Sequence, residues 1–351
     1  MPSLLDPLQL GDLKLPNRVI MAPLTRLRGT IDNVPTPIMA DYYRQRASAG
    51  LIISEGTPIS PQGVGYSQVP GLWSQQQVEA WKPITAAVHE ASGLIFSQIW
   101  HVGRISDPAF LHGERPVAPS PIAATGHVSL LRPTKPFETP RELSTGEVKE
   151  IVTTFQRGAE NAKAAGFDGI EMHGANGYLL DQFLQDGTNQ RTDEYGGTLE
   201  NRARLMLEVT DAVISVWGPN RVGMHLAPRS DTHGISDSNP EVTFGYVASE
   251  LGRRKIAFIA AREYIGDRRL GPQLKKAFGG VYIANEKFDR ESADRVIESG
   301  EADAVAFGKL FIANPDLPIR FKRNAPLNAP NPETFYAHGP EGYVDYPSLQ
   351  G

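Results

Sequence analysis

Residues 169–183 read GIEMHGANGYLLDQF and set three hydrogen-bonding side chains between a strand-like start and an amphipathic, helix-like end. His173 and Asn176 stand three residues apart, which puts them on one face of a helix or a tight turn. Both can donate a hydrogen bond. Two donors aimed at one point suit a carbonyl or nitro oxygen that gains negative charge during a reaction. The Tyr178 phenol stays protonated at neutral pH and can give up its proton as a general acid. Two donors and a proton source are what the reduction of an activated double bond requires. The same residues also fit a plain structural reading, a loop stapled by its own polar side chains, which composition alone slightly favours. A metal held by His173 and His225 is disfavoured: their spacing matches no dense ligand motif, and structural zinc usually recruits cysteine, of which the chain has none.

Such residues need strands and helices to hold them. Short, continuously apolar runs recur at 18–25, 50–56, 93–100, 166–173, 221–228, 255–261, 279–285 and 302–308. Continuous rather than alternating apolarity is the mark of strands buried on both faces, as in a parallel sheet. Helical patterns fall between them, most clearly at 75–91, 145–165, 198–218 and 289–300. This rhythm predicts an α/β fold, a (β/α)8 TIM barrel. A doubly wound open sheet is the alternative, and the missing Gly-x-Gly-x-x-Gly after the first strand counts against it. Residues 107–143 are proline-rich and too long for an ordinary loop, so they form an excursion after the third strand. The extended tail from Asn324 is also proline-rich and aromatic, and is expected to wrap the surface or reach the active-site face. No linker interrupts the pattern, so residues 1–351 are expected to form a single domain.

Composition narrows the functions. The chain has 351 residues, 40 acidic against 35 basic, for a net charge of −5. That mild acidity argues against a nucleic-acid partner, which needs a dense positive surface. The absence of cysteine excludes disulfides, iron–sulfur clusters and cysteine nucleophiles. Neither a signal peptide nor a membrane-spanning run is legible. A cytoplasmic protein, a monomer or small homo-oligomer, is the expectation.

In a barrel, chemistry collects at the C-terminal ends of the strands. There the runs end in Thr25, in Gly56, in Gln98 and Trp100, in His173, in His225, in Asn285, and in Gly308 and Lys309. Phosphate often binds after the seventh and eighth strands, and a glycine turn with free N–H groups beside a lysine suits it. Taken alone, a pair such as Gly308–Lys309 is usually just a turn with a solvated lysine.

These motifs together resemble the Old Yellow Enzyme family of flavin-dependent ene reductases. The similarity covers nearly the whole chain. It is carried by NRVIMAPLTR (17–26), SEGTPISPQGVGY (54–66), SQIWHVGR (97–104), DGIEMHGANGYLLDQFL (168–184), NQRTDEYGGTLENRARLMLEV (189–209), AFGKLFIANPDL (306–317) and EGYVDYPSL (341–349). The resemblance implies a barrel that binds FMN non-covalently. NADPH or NADH then acts as a visiting reductant, which accounts for the missing dinucleotide fingerprint. It further implies that His173 and Asn176 hold the substrate oxygen, that hydride passes from flavin N5 to the β-carbon, and that Tyr178 protonates the α-carbon. By the same resemblance, Pro23, Leu24, Thr25, Gly56 and Gln98 line the flavin ring, and Asn285, Gly308 and Lys309 take its phosphate. Tyr66, Trp100 and Tyr336 shape the substrate pocket, and Arg229 approaches either the flavin or a loop.

Two departures stand out. Lys309 replaces the commoner arginine, keeping the charge without its fork. His225 stands where many members have arginine near flavin N1 and O2, so an imidazole whose charge depends on pH replaces a permanent one. As a partly protonated group it would make the flavin potential vary with pH; as a neutral donor it would not.

The implied substrates are small electrophilic alkenes or nitro compounds: α,β-unsaturated carbonyls, maleimides, nitroalkenes, nitrate esters or nitroaromatics. A phosphate-binding barrel lyase or aldolase is the competing enzyme class, but no lysine clearly ends a central strand to form a Schiff base. A protein that merely stores flavin would need no proton donor.

Overall fold

The computed structural model describes residues 2–264, 266 and 268–349. An antiparallel hairpin, β1 (Leu8–Leu10) with β2 (Leu13–Leu15), opens the chain. β3 (Val19–Met21), β4 (Leu51–Ile53), the two-residue β5 (Thr57–Pro58) and β6 (Ile95–Trp100) follow. β7 (Val117–Ala118) and β8 (Arg141–Glu142) pair with each other in the excursion. β9 (Gly169–Gly174), β10 (Val222–Leu226), β11 (Phe258–Arg262), β12 (Val281–Asn285) and β13 (Ala304–Phe307) complete the set. Parallel pairing runs β4–β3–β13–β12–β11–β10–β9–β6, and β4 also pairs with β6, so eight strands close into the expected (β/α)8 barrel.

The helices are α1 (Ile38–Arg44), α2 (Gln75–Glu90), α3 (Thr145–Ala164), α4 (Leu179–Leu184), α5 (Leu199–Trp217), α6 (Pro240–Arg253), α7 (Gly271–Phe278), α8 (Arg290–Glu298), α9 (Lys309–Ala313) and α10 (Leu317–Arg323). Capping boxes start three of them, through Ser74 with Gln77, Ser144 with Glu147, and Asp289 with Ser292. Helix boundaries therefore fall where the polar punctuation sets them. α4 differs from expectation. All six of its residues are buried, so it is a short core helix rather than an amphipathic one.

Several barrel strands are shorter than their apolar runs. The run 18–25 keeps its ladder only over Val19–Met21, because Pro23 has no N–H to offer. In the run 50–56, Glu55 turns away and its N–H binds the Tyr43 hydroxyl at 2.9 Å. The freed segments are the ones that line the site.

Three apolar clusters organise the interior. The largest fills the space between strands and helices. A second fills the lower barrel, where Leu8, Leu10 and Leu15 of the hairpin plug the bottom beneath Phe96, Phe258 and Ile283. The third lies under the excursion, where Val128 and Phe137 pack with Val102, Trp100 and Tyr178. A buried arginine, Arg104, ties that excursion down through the carbonyls of Ile122 at 2.9 Å and His233 at 3.1 Å.

The tail both wraps the barrel and reaches its upper face. Arg28 donates to the carbonyls of Thr334 and Glu341, each at 3.2 Å, and of Phe335 at 3.1 Å. Arg26 donates to Gly342 O at 2.7 Å, and Tyr343 stacks on Tyr42 with ring centroids 4.1 Å apart.

Candidate active site

Parallel register sets the site's geometry. Glu171 lies beside Gln98 of β6, and His173 lies beside His225 of β10. Alternation along each strand then turns these side chains into the barrel, above the phenylalanine layer. Over them opens a cavity of about 640 Å³. His173, Asn176 and Tyr178 line it, with Trp100 and Tyr336. So do Pro23, Leu24, Thr25, Gly56, Gln98 and His225, and on the far side Asn285, Gly308 and Lys309. A second cavity of about 600 Å³ adjoins it under the excursion, shares Thr25, Tyr178 and Tyr336, and is lined by Tyr66. The residues implied by the motifs are thus brought together around two adjoining spaces.

His173 and Asn176 converge by a route other than a helical face. His173 lies in β9, and Asn176 takes a left-handed conformation at φ 57°, followed by Gly177 at φ 76°. That turn brings Asn176 Nδ2 to 3.4 Å from His173 Nε2. The Ala175 N–H donates to His173 Nδ1 at 3.3 Å. Burial, and next the neighbouring His225, hold the His173 pKa well below the usual histidine value. A neutral imidazole that accepts at Nδ1 carries its proton on Nε2. Both facing groups are therefore donors, open to one shared acceptor.

Tyr178 sits just before α4, with its ring centroid 4.7 Å from His173 and 5.1 Å from Trp100. Its hydroxyl lies 2.7 Å from that of Tyr66. Burial, then Tyr66, raise its pKa well above the ordinary phenol value, so it holds its proton through the neutral range. Gly56 makes room for the Trp100 ring, since a Cβ there would come within 2.2 Å of it.

Two residues that the motif reading passed over belong to the site. Glu171 is buried and accepts from Gln98 Nε2 at 2.6 Å, while Gln98 Nε2 lies 3.1 Å from His225 Nδ1. Its only signal in the sequence was its alternation with His173 along one strand. Arg262 ends β11 one residue beyond the run expected to form that strand, and it lines the cavity. Arg229 goes to a loop, donating to Glu263 at 2.7 Å and to Tyr264 O at 2.8 Å. The Asn285 amide ties β12 to β13 through Ala306 O at 2.8 Å. Among the described residues, no group of three His, Asp or Glu side chains is placed to hold a metal, and no helix is long and apolar enough to cross a membrane.

A flavin fits this set. His225 Nε2 and Trp100 Nε1 are buried without a protein partner, on residues that line the cavity. The first turn of α9 leaves backbone N–H groups free beside Lys309, as an anionic phosphate requires.

Fold and site together define a parallel-barrel flavoprotein. The model of the NADH:flavin oxidoreductase / NADH oxidase family matches residues 3–328, and the chain belongs to that family, whose members include the Old Yellow Enzymes. Rice 12-oxophytodienoate reductase 1 is 45% identical over 99% of this chain and 93% of its own length. A probable flavin mononucleotide-dependent alkene reductase of Leishmania infantum is 43% identical over 99% and 97%. Among solved structures, the Old Yellow Enzyme homologue of Zymomonas mobilis superposes with a TM-score of 0.97 at 46% identity, covering 99% of this chain and 100% of that one. Morphinone reductase in complex with tetrahydroNAD gives 0.96 at 48% identity, covering 99% and 98%. The protein is accordingly a flavin-dependent ene reductase that uses FMN, with NAD(P)H as its reductant.

Proposed function

We propose that the protein reduces the C=C bond of small α,β-unsaturated carbonyls, maleimides and nitroalkenes, with nitrate esters and nitroaromatics as further acceptors. When bound, FMN supplies the chemistry of hydride transfer from NAD(P)H to the β-carbon of the substrate. The chain's own residues do the rest. His173 Nε2–H and the Asn176 amide hold the substrate's oxygen and stabilise the charge that develops there. Tyr178 gives its proton to the α-carbon, completing addition of H⁻ and H⁺ across the double bond. Pro23, Leu24, Thr25, Gly56, Gln98 and His225 surround the flavin ring. Gly308 and Lys309 take the phosphate, and Asn285 braces that turn. Trp100, Tyr66 and Tyr336 form the substrate walls, and residues 1–351 act as one cytoplasmic unit.

The observation that carries this reading is the convergence of two donors 3.4 Å apart beside a protonated phenol. Nothing in the site favours a lyase: the cavity's lysines, Lys287 and Lys309, are exposed at its rim. The test is anaerobic. The purified protein should be yellow, bleach with NADPH, and regain its colour with 2-cyclohexenone. Bleaching without recovery would remove the alkene from the reaction.

A further inference from the structure

Arg262 is the only arginine lining the larger cavity among the described residues. Its Nη1 donates to Asn176 Oδ1 at 2.9 Å. Its Nε and Nη2 donate to the two carboxylate oxygens of Glu286, each at 3.1 Å. A guanidinium is planar, so two parallel bonds to one carboxylate also fix the direction of the remaining nitrogen. Glu286 reaches this position from a backbone φ of 109°, a region that side-chain-bearing residues rarely adopt. Arg262 and Asn285 are partners in the β11–β12 register, so Glu286 leaves its strand beside the arginine it holds. The ends of β9, β11 and β12 are thereby joined through Asn176, Arg262 and Glu286.

A primary amide is nearly symmetrical in shape, and its two ends differ only as acceptor and donor. Turned one way, Asn176 offers N–H to a substrate oxygen. Turned the other way, it offers a second oxygen, which repels. The bond from Arg262 occupies the acceptor end and leaves Nδ2 facing His173. The arginine's charge also polarises the amide and strengthens its N–H groups as donors.

We propose that Arg262 is a positioning residue of the reaction: clamped by Glu286, it selects the orientation of the Asn176 amide that donates to the substrate's oxygen. This rests on the oxygen-holding role given above to His173 and Asn176. Arg262 acts through Asn176, so its effect disappears when the amide is gone.

The experiment is a double-mutant cycle on the FMN-loaded protein, with p-cresol as the probe of the oxygen site and its Kd read from the perturbed flavin spectrum. Asn176→Ala alone tests the oxygen-holding role: if it leaves p-cresol binding unchanged, that role and this inference both fall. If it weakens binding, Arg262→Ala is expected to weaken it too, roughly tenfold, as for loss of a charge-assisted contact. In the Asn176→Ala background, Arg262→Ala should add almost nothing. Arg262→Lys should restore part of the affinity, and Glu286→Gln should lose part of it. Unchanged affinity in Arg262→Ala, or an equal loss in both backgrounds, would overturn the positioning role while leaving Asn176 in place. Should Arg262→Ala fail to retain FMN, the cycle is run with Arg262→Lys and Glu286→Gln against Asn176→Ala, under the same criterion of non-additivity.

Discussion

The lower and upper halves of the barrel interior come from the same strands and the same alternation, and they are filled with opposite chemistry. Below, Phe96 lies over Gly169 and Phe258 over Gly223, with ring centroids 6.1 Å apart. A Cβ at Gly169 would meet the Phe96 ring at 2.3 Å, and one at Gly223 would meet the Phe258 ring at 2.2 Å. The two large rings are admitted only because the neighbouring strands give up their side chains. Two residues further along the strands stand Gln98, Glu171 and His225, and then Trp100 and His173. The lower half satisfies itself by packing, whereas the upper half keeps His225 Nε2 and Trp100 Nε1 unpaired. One half holds the strands in place so that the other can carry polar groups at fixed positions.

This division can be broken from either side. The largest effect is expected from Tyr178→Phe. It should slow the alkene half-reaction by roughly 10²–10⁴-fold, the range for loss of a general acid, while reduction by NADPH and the melting temperature stay as they were. Stopped-flow measurement of the two half-reactions checks this, and equal slowing of both would remove Tyr178 from proton delivery. Phe258→Ala attacks the lower half. It should cost about 3–5 kcal/mol in denaturant unfolding, as for an emptied aromatic site, while the rate per bound flavin is kept. A matching fall in that rate would show that the two halves are not separable.

The third test concerns the boundary at the end of β6. His101 is buried, its Nε2 has no partner, and burial lowers its pKa to about 4. The folded state therefore refuses a proton that the unfolded chain accepts near pH 6.5. Its contribution is complete above that pH and is lost as pH falls through 6.5 towards 4, by about 3 kcal/mol in all. His101→Gln should flatten the stability profile across that window. Parallel profiles for variant and parent would assign the acid sensitivity elsewhere.

The barrel was legible because strands buried on both faces leave unbroken apolar runs, and the helices because polar caps punctuate them. The hairpin at the base was not, since three-residue strands such as LQL and LKL carry too little pattern to register. The site was legible where a motif concentrates it, around His173 and around Gly308. Arg262 escaped because an arginine just past an apolar run is, by its own chemistry, a solvated strand end. Only the fold reveals that Asn176, 86 residues earlier, lies within reach of it. The three-residue spacing of His173 and Asn176 fitted either a helix or a tight turn, and a left-handed turn is what draws them together.

The bonds from Arg28 to the tail carry a further consequence. They link residues 306 to 313 positions apart in the chain. The eight strands of the ring are all complete by Phe307, well before those partners. A ribosome reading this message therefore finishes the vessel before it makes the clasp. The wall that Tyr336 contributes is the last part of the pocket to exist.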